Sequence, residues 1–155
     1  MATAVEKDAE TENETSGTTW TPARIYCLGV GLALLLAGLV GFLVNSSFDQ
    51  AEFAPFDFKG DEVNGDLLLG LEVNGWHNVV HAASGLVLLA AAAKRTAARS
   101  VALAFGVVYA IVAVLGFIDG RNVLDTVVVN TADNFLHVGI AVVGVIAALA
   151  SSRHT

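Results

Sequence analysis

Apolar and polar positions alternate along this chain in long blocks. Four apolar runs, Ile25–Val44, Trp76–Ala93, Val101–Ile118 and Asn134–Ala150, are separated by polar stretches, and none carries Lys, Arg, Asp or Glu between its ends. Each approaches the roughly 20 residues that cross about 30 Å of hydrocarbon as a helix. The pattern predicts an all-α integral membrane four-helix bundle over residues 23–151. An acidic, Thr/Glu/Asn-rich segment, 1–22, precedes it and is expected to be disordered on its own.

Composition strengthens this reading. The chain is 55% hydrophobic and only 15% charged. In 155 residues, four helices that are apolar all round find too little polar surface to hide under. Residues 1–19 hold five acids and only Lys7, unlike the basic start of a cleaved leader, so the first run is expected to remain as a helix.

Charge sets the expected orientation. With four spans, both termini and the link Lys94–Ser100 share a face that holds Lys7, Arg24, Lys94, Arg95, Arg99 and Arg153; the other face holds only Lys59 and Arg121. Lys and Arg near helix ends stay inside, which places the termini in the cytoplasm of a multi-pass protein of the bacterial plasma membrane. A sequence pI near 4.8 and the lack of a basic patch exclude nucleic acid as a partner. The partners expected are the lipid bilayer and a second copy or other membrane proteins.

A polar motif then appears twice, each time where an apolar run begins. Asn74-Gly-Trp-His77-Asn78-Val-Val-His81 opens the second run and Asn130-Thr-Ala-Asp133-Asn134-Phe-Leu-His137 the fourth. Superposing the two makes runs three and four a copy of runs one and two. The chain reads as two helical hairpins in parallel repeat, related by an axis along the membrane normal. Small residues at every fourth position, Gly29, Ala33, Ala37 and Gly41 in the first helix and Ala102, Gly106 and Ala110 in the third, are expected to form the seams. Trp20, Tyr26 and Trp76 fall where interfacial belt residues belong. The long first external loop, with Phe48, Phe53, Phe56 and Phe58 among acids, suits a segment resting on lipid headgroups. Cys27, alone of its kind, is expected to be a small core residue.

Within the motif, Asn74 and Asn130 are candidate N-caps, and His77 and Asp133 take the third helical position, where a side chain can reach back to the cap. Caps do not account for Asn78, His81, Asn134 and His137, which lie deeper. Two readings stay open for them. In one, the Asn and His side chains satisfy each other across the pseudo-two-fold as an interhelical lock. In the other, His77, His81, Asp133 and His137, paired four apart, converge on a divalent transition metal, with Asn78 and Asn134 steadying the rings. A variant uses His81 and His137 as axial ligands of haem b. No nucleophile beside a base, phosphate loop or intramembrane carboxylate pair is present, so no catalytic residues are assigned and an enzyme is not expected. The leading reading is an envelope structural or interaction protein with an Asn/His cluster near its outer face.

The His77-Asn78-Val-Val-His81 and Asp133-Asn134-Phe-Leu-His137 segments, set in four short spans, resemble a family of small bacterial membrane proteins catalogued as a domain of unknown function. The resemblance covers about Ala23–Ala150. It implies a four-helix membrane fold with no assigned activity, substrate or cofactor. The Phe-rich acidic loop departs from that pattern.

Overall fold

The computed structural model describes residues 20–49 and 63–151. The acidic tail before Trp20, and Phe53, Phe56 and Phe58 of the first loop, lie outside the described residues. Among the described residues four helices and two small hairpins follow one another: α1 (Pro22–Val44), β1 (Asp66–Leu68), β2 (Leu71–Val73), α2 (Gly75–Ala91), α3 (Arg95–Asp119), β3 (Asn122–Val123), β4 (Val127–Val128) and α4 (Thr131–Ala150). Three helices, α1, α3 and α4, are long and apolar enough to cross a membrane; α2 has 17 residues and falls just short.

Local chemistry explains most boundaries. Thr21 caps α1 and Pro22 occupies its first turn, where a missing N–H costs nothing. Asn45 ends α1: its Oδ1 accepts from Ser47 N at 2.7 Å and its Nδ2 donates to Asp66 Oδ2 at 2.9 Å. Gly120, left-handed at φ 89°, terminates α3. That helix starts six residues before the predicted Val101, because Arg and Ala favour helix and charge at an end does not stop one.

The hairpins depart from the all-α expectation. β1 and β2 are antiparallel with Leu68 opposite Leu71, joined by Leu69 (φ 53°) and Gly70 (φ 90°), a two-residue turn with both centres left-handed. β3 and β4 pair Asn122 with Val128 and Val123 with Val127. Leu124 and Asp125 are also left-handed there, and Asp125 N donates to Asn122 Oδ1 at 3.1 Å. Both hairpins stand at the end of the helices where α2 and α4 begin.

α1 packs chiefly on α2, and α3 on α4. Contact is close enough that a Cβ on Gly38 would lie 2.6 Å from Ala82 N, and one on Gly85 2.5 Å from Leu35 N. The α1 seam is Gly31, Leu34, Gly38 and Gly41, all buried, rather than the predicted row. Of that row only Gly41 is buried; Gly29 and Ala33 are exposed. A strict spacing of four drifts around a 3.6-residue helix, whereas alternating threes and fours stay on one face. On α3, Ala102 and Gly106 are buried as predicted, but Ala110 gives way to Tyr109 and Ala113. Tyr26 is no belt residue either: it is buried and donates from its hydroxyl to Ile140 O at 3.2 Å. Cys27 is fully buried.

At the far end, Ala23 N donates to Ser151 Oγ at 2.9 Å, Arg24 Nε to Ala92 O at 2.8 Å and Arg99 Nε to Ala148 O at 3.3 Å. The start of α1 and the end of α4 therefore lie together. The outward surface is apolar, with Leu32, Leu36, Leu39, Ile111, Val114, Val142 and Ile146 all exposed, while Asn74, His77, Asn78, Asp133 and Asn134 are buried. Apolar outside and polar inside is the distribution expected where lipid replaces water as solvent.

Candidate functional site

Asn74 caps α2 by accepting from His77 N at 2.9 Å, and its Nδ2 donates across to Thr126 O, in the β3–β4 loop, at 2.8 Å. Asn130 does the same for α4: its Oδ1 accepts from Ala132 N and Asp133 N at 2.8 and 3.0 Å, and its Nδ2 donates to Gly70 O, in the β1–β2 turn, at 2.9 Å. Each helix start is thus fastened to the hairpin that precedes the other one.

The third helical positions make the second exchange. His77 Nδ1 donates to Val128 O at 2.8 Å, and Asp133 Oδ2 accepts from Glu72 N and Asn130 N, both at 2.9 Å. Asn74 and Asn130 stand 56 positions apart, as do Glu72 and Val128, Gly70 and Thr126, and His77 and Asp133. Matching positions therefore grip one another reciprocally, like the two sides of a symmetric interface. The different residues are explained by polarity: the Val128 position offers a carbonyl, which needs a donor, and the Glu72 position offers an N–H, which needs an acceptor.

One turn deeper, Asn78 and Asn134 each rest on a glycine. A Cβ on Gly41 would overlap Asn78 Oδ1, and one on Gly116 would overlap Asn134 Oδ1. Asn78 Nδ2 donates to Asn45 O at 2.7 Å, taking up a carbonyl left open at the end of α1. Neither Asn ring-steadies a histidine among the hydrogen bonds of the described residues; both serve helix contact.

The three imidazoles of His77, His81 and His137 come together, with one ring nitrogen from each lying within 4.8 Å of the others. All three are buried. Because Val128 O can only accept, His77 carries its proton on Nδ1 and presents a lone pair on Nε2. That lone pair faces His81 Nε2 at 2.9 Å. Two neutral rings coexist at this distance with one proton between them, or with one cation between them. Among the described residues the Nδ1 atoms of His81 and His137 are buried and have no hydrogen-bond partner, which is costly unless something is bound.

Asp133 stands outside this group. Its carboxylate is committed to backbone N–H groups, so the convergent set is three imidazoles rather than the predicted three plus a carboxylate. An axial pairing of His81 and His137 meets an obstacle as well: His81 Nε2 faces His77, not an open plane. Outside the helices, Glu72, whose N–H Asp133 holds, carries a titratable carboxyl. Burial first, and the Asp133 carboxylate second, push its carboxyl above the ordinary value.

Two contributors escaped the sequence reading. Tyr109 of α3 packs edge-on against His137, ring centroids 5.3 Å apart, and has Ser84 as hydroxyl neighbour. Tyr109 is the one aromatic residue with a hydroxyl inside the third apolar run, a signal that was available. The hairpin carbonyls, as backbone groups, leave no trace in residue identities.

The chain belongs to the family of a domain of unknown function (DUF4383), whose family model matches residues 18–150. No curated protein and no solved structure matches it.

Proposed function

We propose that this protein is a four-span integral protein of the plasma membrane, with cytoplasmic termini, that holds a transition-metal ion on His77, His81 and His137 near its outer end. The observation that carries the metal is the convergence of three buried ring nitrogens within 4.8 Å. Two tetrahedral ligand nitrogens at roughly 2.0–2.1 Å from an ion lie about 3.3 Å apart, close to the spacing His77 and His81 already have. Imidazole suits zinc, copper, iron and nickel, and three protein ligands leave a coordination position open. The Val128 carbonyl on His77 Nδ1 is the outer partner that such ligands use to set tautomer and aim.

The lock and the metal centre divide the motif between them. Asn74, Asn130, Asp133 and the Nδ1 side of His77 hold the two halves together; His81, His137 and the Nε2 side of His77 are left for an ion. Support for an internal duplication, two parallel helical hairpins in one bundle, comes from the reciprocal bonds at a constant offset. Four spans follow if α2 crosses with its neighbours despite its 17 residues, which at about 1.5 Å each come near the hydrocarbon thickness once flanking residues are added. The six basic residues on the face of the termini support the orientation.

Elemental analysis of the detergent-purified protein for zinc, copper, iron and manganese tests this reading, beside a His81→Ala/His137→Ala variant. Expected is about one ion per chain in the wild type and none in a variant of equal helicity. A wild type that binds none of these ions, as purified or after titration, overturns it and leaves the eight-residue cluster as an interhelical lock.

A further inference from the structure

Beside the three histidines, α2 and α3 part to leave a cavity of about 440 Å³. His81, His137 and Tyr109, all buried, line it together with Ser84, and Phe105 and Val112 are among its apolar walls. Its rim includes Val80, Val108 and Leu124, exposed by 46%, 53% and 67%. Val80 and Val108 belong to the outward apolar surface of the helices, so the mouth opens sideways toward lipid, under the β3–β4 hairpin.

The lining selects among membrane compounds. Among the described residues it contains no Lys, Arg, Asp or Glu, so neither a phosphate nor an ammonium headgroup finds a counter-charge there. What these residues offer is uncharged: imidazoles, the hydroxyls of Tyr109 and Ser84, the Thr126 hydroxyl already given to Leu124 O, and otherwise hydrocarbon. Phe105 and Tyr109, both in the lining, lie nearly parallel, 23° between planes and 6.0 Å between centroids. Apolar walls with a few converging polar groups are the usual form of a small-molecule site.

We infer that this cavity binds the ring of a membrane-dissolved quinone or quinol, its oxygens at the His81, His137, Tyr109 end and its isoprenoid chain leaving between Val80 and Val108 into the bilayer. Quinone oxygens accept from a hydroxyl or from an imidazole N–H, which a ring keeps when its other nitrogen holds an ion, and quinol hydroxyls donate to an imidazole lone pair where no ion is bound. The inference goes beyond the metal centre and stands without it, since the cavity and its polar end are made by the protein alone.

Equilibrium binding of a decyl-substituted benzoquinone to the full chain in nanodiscs, corrected for protein-free discs, tests it. The wild type is expected to bind saturably, about one per chain, and to do so with or without added zinc. Val108→Trp and Ala104→Phe, both at lipid-exposed wall positions, are expected to weaken binding at least about tenfold. Leu39→Trp, exposed on α1 away from the cavity, leaves it unchanged. Two variants guard against one that fails to fold, and metal content read on the same samples separates this inference from the metal centre. Partition without saturation in the wild type, or equal binding in folded Val108→Trp and Ala104→Phe, overturns it.

Discussion

His77 donates its Nδ1–H to the Val128 carbonyl at 2.8 Å, and this bond connects the lock to the histidine cluster. It joins the start of α2 to the hairpin ahead of α4, and it turns the other ring nitrogen inward. A carboxylate cannot replace it, since two acceptors would then face each other in a buried place. His77→Asp is expected to lose about 1–3 kcal/mol more stability than His77→Gln, whose amide still donates. Thermal denaturation in detergent, comparing the two variants, checks this.

The partner bond runs the other way. Asp133→Ala removes the acceptor of Glu72 N and Asn130 N together, and is expected to cost about 1–3 kcal/mol for each N–H left without a partner. Because Asp133 takes no part in the histidine group, metal content per folded chain should stay at the wild-type level. Loss of the ion in folded Asp133→Ala would return the carboxylate to the ligand set.

Glycines sort by what lies over them. Gly41→Ala and Gly116→Ala place a methyl onto the Asn78 and Asn134 amides, an overpacking expected to cost about 1–3 kcal/mol or more. Gly29 and Gly139 have open space there, so alanine is expected to be neutral or to stabilise by about 0.5–1 kcal/mol. Melting temperatures of the four single variants in one detergent decide it.

Acidity acts through Glu72. Its carboxyl is raised in the folded protein, so the folded state binds its proton more readily than the unfolded chain does. That favours folding below the ordinary carboxylate value and is lost as pH rises through the raised one. Glu72→Gln removes the charged form, and should melt higher than wild type at neutral pH, with the difference vanishing on acidification below about pH 4. A constant difference across the titration would contradict this.

How far the sequence revealed the molecule depends on what kind of group made each contact. The apolar runs were legible because lipid demands long uncharged stretches, and the helices lie where those runs predict, within a few residues except at the start of α3. The caps at Asn74 and Asn130 were legible because side-chain capping follows local spacing. The hairpins were hidden in loops whose Leu69-Gly70 and Leu124-Asp125 turns include non-glycine residues at positive φ, which pattern reading does not anticipate. The destination of Asp133 was hidden too. A carboxylate four residues from a histidine on a helix fits a ligand pair and a capping box equally, and only the position of Glu72 N decides between them.

Orientation has its own test. Leu69, 97% exposed at the tip of the β1–β2 turn, is expected to react as Leu69→Cys with an impermeant maleimide added to intact cells, while native Cys27, fully buried, stays unlabelled. Labelling of Leu69→Cys only after the cells are opened would invert the proposed topology.

The central claim is that three imidazoles from two helices hold one ion, and X-ray absorption at the edge of the metal bound by the purified protein tests it most directly. The account predicts a first shell of nitrogen and oxygen only, with outer-shell scattering from three imidazoles that falls to two in His137→Gln. A shell without imidazole scattering, or one unchanged in His77→Gln, His81→Gln and His137→Gln alike, would contradict it.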